Sequence, residues 1–593
     1  MPINWKIFLT KTAVIVAAGL WVFWPALHGG WLWDDDGLIQ NNRLIHDPSG
    51  FWKIWFEPSR LIDFFPLTVT VEWLEWHLWQ SETFGYHLTN VVLHLTSSLL
   101  VWHLLSKFGL RLAWLGGLIF AIHPVVVESV AWMAELKNTL SMPFFLLAMC
   151  VWIDYENEGK RRDYFLTLGL FAVAMLAKTT MVMFPAVILL YAWWKRSHIG
   201  WKDLKASAPF FAVSLGLGLV TIRFLHSHAI ERPNVSMEGI FSTLALGAQS
   251  MAFYFTKFFL PIGLMPMYPK WVIDPPTLIQ FLPWLILGVA LGWLWTKRMT
   301  WGRHALLGLG FFLIMLIPFI GFVPGSYMEF TWVMDHLLYI PIVGLIGLVV
   351  AGMEQMSGQL PVVIRSVGAV MVVGVIGLLA WGSRDYAKLY IDQQTLWTYT
   401  IQHNPGAWVA YNNLGFVLFE SGRNAEAMDL YAKALKLYPD YEMAHYNMGN
   451  ALVMSGQDRY DEAMLQYEQV LKLNPNNANV HNNLGNIYAR QGRISEAIDQ
   501  FQQASKNNPY DIAAHGNLGN LYGQQRRLPA AIEQFEEALK IDSNDAPSHY
   551  SLGCAFAIMG RTSEAIEQYQ LVLKINPENA QARERLDRLQ DLR

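Results

Sequence analysis

Only two of the 593 residues are cysteine, and only 15% are charged. Cys150 lies in an apolar run and Cys554 in a polar one, so no intrachain disulfide is expected. Zinc-type Cys/His spacing is missing, and so is a GKS/T phosphate cradle, which removes the sequence support for a nucleotide-sugar donor. The formal net charge is −4 and there is no basic run, so nucleic acid is not an expected partner. The first apolar segment, residues 9–27, lacks a small-x-small cleavage site and reads as a retained signal anchor.

Apolar residues make up 53% of the chain, and they are unevenly placed. Up to about residue 382 the chain is a series of long apolar runs; after it, the chain is polar, rich in Asn and Gln, and helical in period. A helix needs about 20 mostly apolar residues to cross a bilayer. Residues 9–27, 86–105, 112–130, 139–155, 163–178, 180–194, 208–225, 280–296, 305–322, 336–353 and 361–381 fit that length, about eleven spans. The stretch 241–264 is interrupted by Gln249, Ser250 and Lys257 and reads as re-entrant or interfacial; were it to cross, the polar half would be cytoplasmic and the 297–303 cluster would face the other side. With the re-entrant reading the basic clusters at 6–11, 107–111, 160–162, 195–205 and 297–303 share one face. The positive-inside rule makes that face cytoplasmic and puts the polar half on the other side.

The unusual polar groups then collect on the external face: WLWDDD at 31–36, HPVVVESVAWMAELKN at 123–138, Lys178, HSHAIERP at 226–233 and SYMEFTWVMDH at 326–336. Ionisable groups at membrane depth are costly, so such a belt points to a cleft for a charged ligand such as a lipid head group.

The polar half repeats. YNNLG at 411–415 returns as HYNMG, HNNLG, HGNLG and HYSLG, with glycines at 415, 449, 485, 519 and 553, spaced 34, 36, 34 and 34. This is the helix–turn–helix period of the tetratricopeptide repeat (TPR). The expected organisation is a multispan domain over 1–382, a linker and first helix over 383–404, five TPRs over 405–576 and a capping helix over 577–593, all α. Asn413, Asn447, Asn483 and Asn517 form a column in the array, with Ser551 in the fifth place. It either offers amides to a peptide backbone, as an acceptor-binding ladder, or stabilises the packing of the helices.

WDDD at 33–36, NVVLHL at 90–95, AIHPVVVESVAWMAELKNTLS at 121–141, LAKTTMV at 176–182 and MDHLLYIP at 334–341, followed by TPRs, resemble one family. It is the transmembrane-and-TPR protein O-mannosyltransferase (TMTC) family with its bacterial relatives, in the GT-C superfamily of multispan glycosyltransferases. The resemblance covers nearly the whole chain. Two departures stand out. The family's Glu-Arg-Lys-Asp is here Glu135-Leu136-Lys137-Asn138, and its Asp-Arg-Tyr-x-Tyr is here Asp335-His336-Leu337-Leu338-Tyr339.

The resemblance implies transfer of a sugar, mannose in the family, from a polyprenyl-phosphate lipid to a hydroxyl of a protein on the non-cytoplasmic face. It places the base just after the first span, at Asp34 or Asp35, where an adjacent carboxylate raises a pKa. The alternative is a solvated acidic turn. Asp36 either caps the next segment or helps to bind a divalent cation; the sequence names no certain cofactor. His123, Lys137, Lys178 and Arg232 are the candidates for the donor phosphate, although Lys178 is equally readable as snorkelling. Glu128, Glu135, Asp335 and Tyr339 are supporting candidates. Short loops favour a bacterial inner membrane with a periplasmic TPR array over the endoplasmic reticulum with a lumenal one. Two other readings stay open: a non-enzymatic membrane-anchored TPR scaffold, and an O-antigen-ligase-like enzyme.

Overall fold

Hydrocarbon offers no partner to a backbone N–H or C=O, so an apolar run in a bilayer must bond to itself as a helix. In the computed structural model, which describes residues 5–227, 239–322 and 325–591, every regular element of the described residues is helical. Two compact units appear, residues 1–413 and 414–593.

Among the described residues, eight helices of the first unit are long and apolar enough to span a membrane: Trp5–Phe23, Thr83–Lys107, Met133–Glu158, Trp201–Phe224, Leu278–Thr296, Gly302–Phe319, Ile342–Gln359 and Val362–Tyr390. Ala113–Ile122 and Pro124–Ala131 make a ninth if the 56° bend between them is counted within one span. The chain is thus a multi-pass membrane protein. The count differs from eleven at two places. Arg161–Ala177 has 17 residues and Phe184–Arg196 has 13, because the chain leaves the helix at Lys178, whose backbone is extended. Outward residues of the last helix, such as Val370 at 73% and Leu378 at 74% exposure, are apolar, as a lipid-facing surface requires.

The basic loops do share one end. Lys107 pairs with Asp154 at 2.5 Å, Lys195 with Glu156 at 3.7 Å, and Arg111 with Glu354 at 3.9 Å. Trp193 stacks on Trp295 with centroids 5.5 Å apart, and the Trp194 indole donates to His304 at 3.1 Å, which brings the 297–303 cluster to that end. The helix that starts at Trp201 therefore leaves this end, and the helix that finishes at Thr296 returns to it. Between them, Ile240–Phe259 packs by its 258 end on His123, with rings 5.3 Å apart. The segment between these two spans thus begins and ends away from the basic loops, as a re-entrant segment does.

The expected linker is part of the first unit: Leu396, Trp397 and Thr400 of the helix Gln393–His403 are buried.

The second unit is built from paired helices, among them Glu442–Ser455 with Tyr460–Leu473, Ala478–Arg490 with Ile494–Asn507, Ile512–Gln524 with Leu528–Ile541, and Ala546–Ile558 with Thr562–Ile575. Ala580–Asp591 caps them. Each repeat glycine sits under an aromatic ring of its partner helix. A Cβ at Gly415, Gly449, Gly485, Gly519 or Gly553 would lie 2.5–2.8 Å from Tyr431, Tyr467, Phe501, Phe535 or Tyr569. The ring is buried in every case, so it cannot swing aside. Gly485→Ala is accordingly expected to destabilise the array by about 1–3 kcal/mol, read as a lower denaturant midpoint for protease resistance of this unit.

A second repeated contact locks the pairs. His445, His481, His515 and His549 each hold one ring nitrogen 2.6–2.9 Å from a Gln side chain of the partner helix. The other nitrogen donates, at 2.8–3.3 Å, to the carbonyl six residues earlier.

Candidate active site

Trp33 has φ of 39°, a left-handed conformation that a bulky residue adopts only when its surroundings compel it. They do so here by stacking: its ring lies parallel to Trp132 at 5.2 Å and edge-on to Trp397 at 5.1 Å. The kink turns the next two aspartates opposite ways. Asp35 is fully buried, and its two carboxylate oxygens accept from the backbone N–H of Leu32 at 2.9 Å and of Ala134 at 2.7 Å. Asp34 is exposed, and its carboxylate has no hydrogen bond among the described residues. Protein nevertheless crowds it: loss of bulk water pushes its carboxyl up to about 6, against the pull of Lys137 and with the help of Glu135 and Asp63. Asp36 does not cap the turn it opens; its carboxylate accepts from Gln393 at 3.5 Å.

Ala134, which Asp35 holds, lies in the irregular break between Ala131 and Leu136. The break presents Glu128 and Glu135 on one side. Glu135 lies 3.3 Å from the Lys137 ammonium and accepts from the Asn138 amide. Asn138 in turn accepts from Lys178, which explains how a 95% buried ammonium is tolerated there. Glu128 accepts from the His336 backbone N–H at 3.0 Å. The His336 ring stands between the two glutamates, 3.3 Å from Glu128 and 3.9 Å from Glu135. So Asp34, Glu128, Glu135, Lys137 and Lys178 are brought together, with His336 and Asn138 as members the sequence reading missed.

Asp335 is close by but turned away. It is buried, accepts from Tyr268 at 2.8 Å and Tyr386 at 2.9 Å, and is pushed up to about 8 by burial and by Glu128. His123 and Tyr339 are engaged elsewhere. His123 contacts the Phe258 carbonyl at 3.0 Å through one nitrogen and the Val125 N–H at 3.4 Å through the other. The Tyr339 hydroxyl pairs with His94 at 2.9 Å. Neither side chain has a group free for a donor phosphate or for the cluster. Arg232 lies outside the described residues.

Beside the cluster opens a narrow cleft with an internal volume of about 20 Å³. The first loop and the helix Pro66–Trp79 wall it, with Asp63, Glu72 and Lys137 as its charged groups. Asp34, Asp63, Glu72 and Glu135 all feel the Lys137 ammonium. Asp63 and Glu72 were not singled out from sequence; the two glutamates, Glu72 and Glu75, in the Val- and Trp-rich run TVTVEWLEW were the available signal. Among the described residues no three His, Cys, Asp or Glu side chains converge as metal ligands.

In the array, the Asn column bridges neighbouring repeats. Asn483 donates to Asn450 at 2.9 Å and Asn517 to Asn482 at 3.1 Å, while Asn447 is buried. Asn413 accepts from its neighbour Asn412 at 3.0 Å.

Residues 66–226 match the family described as dolichyl-phosphate-mannose-protein mannosyltransferase. Residues 415–526 match TPR repeats, and 512–545 and 546–579 match tetratricopeptide repeats. Human protein O-mannosyl-transferase TMTC1 is 25% identical over 502 residues, covering 74% of this chain and 56% of that protein. Mouse TMTC3 is 24% identical over 498 residues, covering 75% and 53%. The chain is thus similar to these proteins over about three quarters of its length.

The chain spans about half the length of the curated relatives it matches. Among solved structures, YrrB, a TPR protein with an unusual peptide-binding site, aligns with 32% of this chain and 96% of its own, at 24% identity and a TM-score of 0.28.

Proposed function

We propose that this chain is a GT-C-type glycosyltransferase that moves a sugar, mannose by family likeness, from a polyprenyl phosphate to a hydroxyl of a protein. The observation that carries the reading is Asp34: an exposed carboxylate without a hydrogen bond among the described residues, close to Lys137, Glu135 and Asp63. In that position it takes the proton of an acceptor hydroxyl as oxygen attacks the anomeric carbon, and the sugar–phosphate bond breaks on the opposite side. Among the described residues, Lys137 is the cation both partly accessible and beside Asp34, so it is assigned the charge that develops on the leaving phosphate. Lys178, more deeply set, holds Asn138 and through it Glu135. His336 stands where the family has arginine and joins the two glutamates.

The face that holds Asp34 is assigned as non-cytoplasmic, opposite the basic loops, and a bacterial inner membrane with a periplasmic TPR array is the preferred setting over the endoplasmic reticulum. The array is assigned to the protein acceptor. The donors of Asn483 and Asn517 are engaged between repeats, so their carbonyl oxygens are the groups assigned to a peptide N–H.

The test is transfer of label to protein from radiolabelled polyprenyl-phosphate sugars, in membranes with and without the chain. Chain-dependent labelling is expected. Its absence across several donor sugars would leave a membrane-anchored TPR scaffold as the better reading.

A further inference from the structure

Residues 391–404 lie between the last span, which ends at Tyr390, and the helix Trp408–Glu420. They touch both sides of the candidate site by separate contacts. One set reaches the turn that carries Asp34. The Ile391 carbonyl accepts from the Gly30 N–H at 2.8 Å, and the fully buried Trp397 meets Trp33 edge-on at 5.1 Å. The other set reaches the loop 264–268. The Tyr399 hydroxyl donates to the Leu264 carbonyl at 3.1 Å, and the buried Asn404 amide donates to the Met267 carbonyl at 3.1 Å. Tyr268, the next residue, donates to Asp335, and Asp335 precedes His336, which stands between Glu128 and Glu135. Two details set these contacts apart from the filling of space. The Trp397 indole N–H is buried without an acceptor among the described residues, a cost that a phenylalanine would not carry. Asn404 is engaged at both ends, since its carbonyl oxygen accepts from the Gly406 N–H at 3.2 Å while its amide holds the other loop.

We propose that residues 391–404 form a two-armed strap that holds the base and the glutamate–histidine side of the site in register. Trp397 is then a positioning residue for Asp34, acting through Trp33, and Tyr399 and Asn404 are positioning residues for His336, acting through Tyr268 and Asp335. The proposal rests on the glycosyltransferase reading above and adds what aligns its parts. Asp34 stands on an irregular turn, not within a helix, so its place is only as fixed as its neighbours make it. The left-handed Trp33 just before it persists only while the surrounding rings compel that conformation. A misplacement of about 1 Å from a change remote from the chemistry costs about 10²-fold in rate. None of the three strap side chains touches the reacting atoms, so their loss should lower kcat and leave the KM for the donor lipid in place.

The experiment uses the full chain in nanodiscs and reads two quantities: amide hydrogen exchange, and transfer kinetics with radiolabelled polyprenyl-phosphate mannose. Trp397→Leu is expected to speed exchange in residues 30–36 and leave 264–268 as they were, and the double variant Tyr399→Phe/Asn404→Ala is expected to do the reverse. Each is expected to lower kcat by about tenfold or more at an unchanged KM. Trp397→Phe keeps an aromatic edge, should recover part of the rate, and serves where Trp397→Leu fails to fold. Unchanged exchange in both segments overturns the proposal. So does loosening of both segments by either variant, which is general destabilisation, and so does faster exchange at an unchanged kcat, which leaves the segment a scaffold. The two readings separate: a wild type that transfers no sugar sinks the transferase, and the exchange pattern then decides the strap alone, the crossed response keeping it and an unchanged one overturning it.

Discussion

Asp34→Asn should lower sugar transfer by about 10²–10⁴-fold, the contribution of a positioned general base, while leaving the chain folded. The amide has the shape of the carboxylate but cannot take a proton. Because the Asp34 side chain has no hydrogen bond among the described residues, the substitution removes no structural contact there. Its effect on stability has a definite sign. The folded-state pKa, about 6, lies above the usual aspartate value, so the ionised carboxylate disfavours the folded state above pH 6 and that penalty fades as pH falls through 6. At pH 7 the variant is therefore expected to be at least as stable as the parent. The parent's transfer rate should fall as pH drops through about 6, where the base becomes protonated, and the residual rate of the variant should lack that step. A pH–rate profile of both, alongside their melting curves, checks all three statements.

What the sequence could show of this follows distance along the chain. The TPR unit was legible because its contacts are local: each repeat glycine meets an aromatic 16 or 18 residues later, and the pair recurs. The two extra residues of the repeat between Gly449 and Gly485 fall on the short turn Gln457–Arg459. The membrane helices were legible as apolar runs, but not their ends. Composition is continuous through residues 163–194, whereas the chain breaks at Lys178 to let its ammonium reach Asn138.

The site was half legible for the same reason. WDDD and the 123–138 stretch announce themselves, yet nothing in them tells Asp34 from Asp35. That division comes from the twist at Trp33, held by Trp132 and Trp397, both remote in sequence. His123 and Tyr339 looked equally eligible until their partners Phe258 and His94 were in place. Glu72 needed the fold to be seen at all, since its setting is made by Lys137, 65 positions on. The Asn column had the opposite defect. Its regularity was plain, but period alone cannot say whether an amide faces a groove or the next repeat, and Asn450 and Asn482 stand where they take two of the amide donors.

The neighbouring aspartate gives the complementary result. Asp35→Ala should unfold the 31–36 turn and lower the stability of the first unit by about 1–3 kcal/mol for each of the two backbone donors it strands. Those donors, Leu32 and Ala134, are 102 residues apart and buried. Asp35→Asn should be nearly as harmful: one oxygen remains to accept, but the amide NH₂ then faces a backbone N–H, donor against donor. Activity should be lost in both variants as well, because Ala134 anchors the break that carries Glu135 and Lys137, and because the twist that exposes Asp34 depends on the turn. The two aspartates are thus separated by pairing two measurements. In Asp34→Asn, transfer is lost and the melting temperature is kept. In Asp35→Asn, both fall together, and protease cuts near residues 31–36 appear. A folded, equally stable Asp35→Asn chain that fails only in catalysis would reverse the assignment and make Asp35 the base.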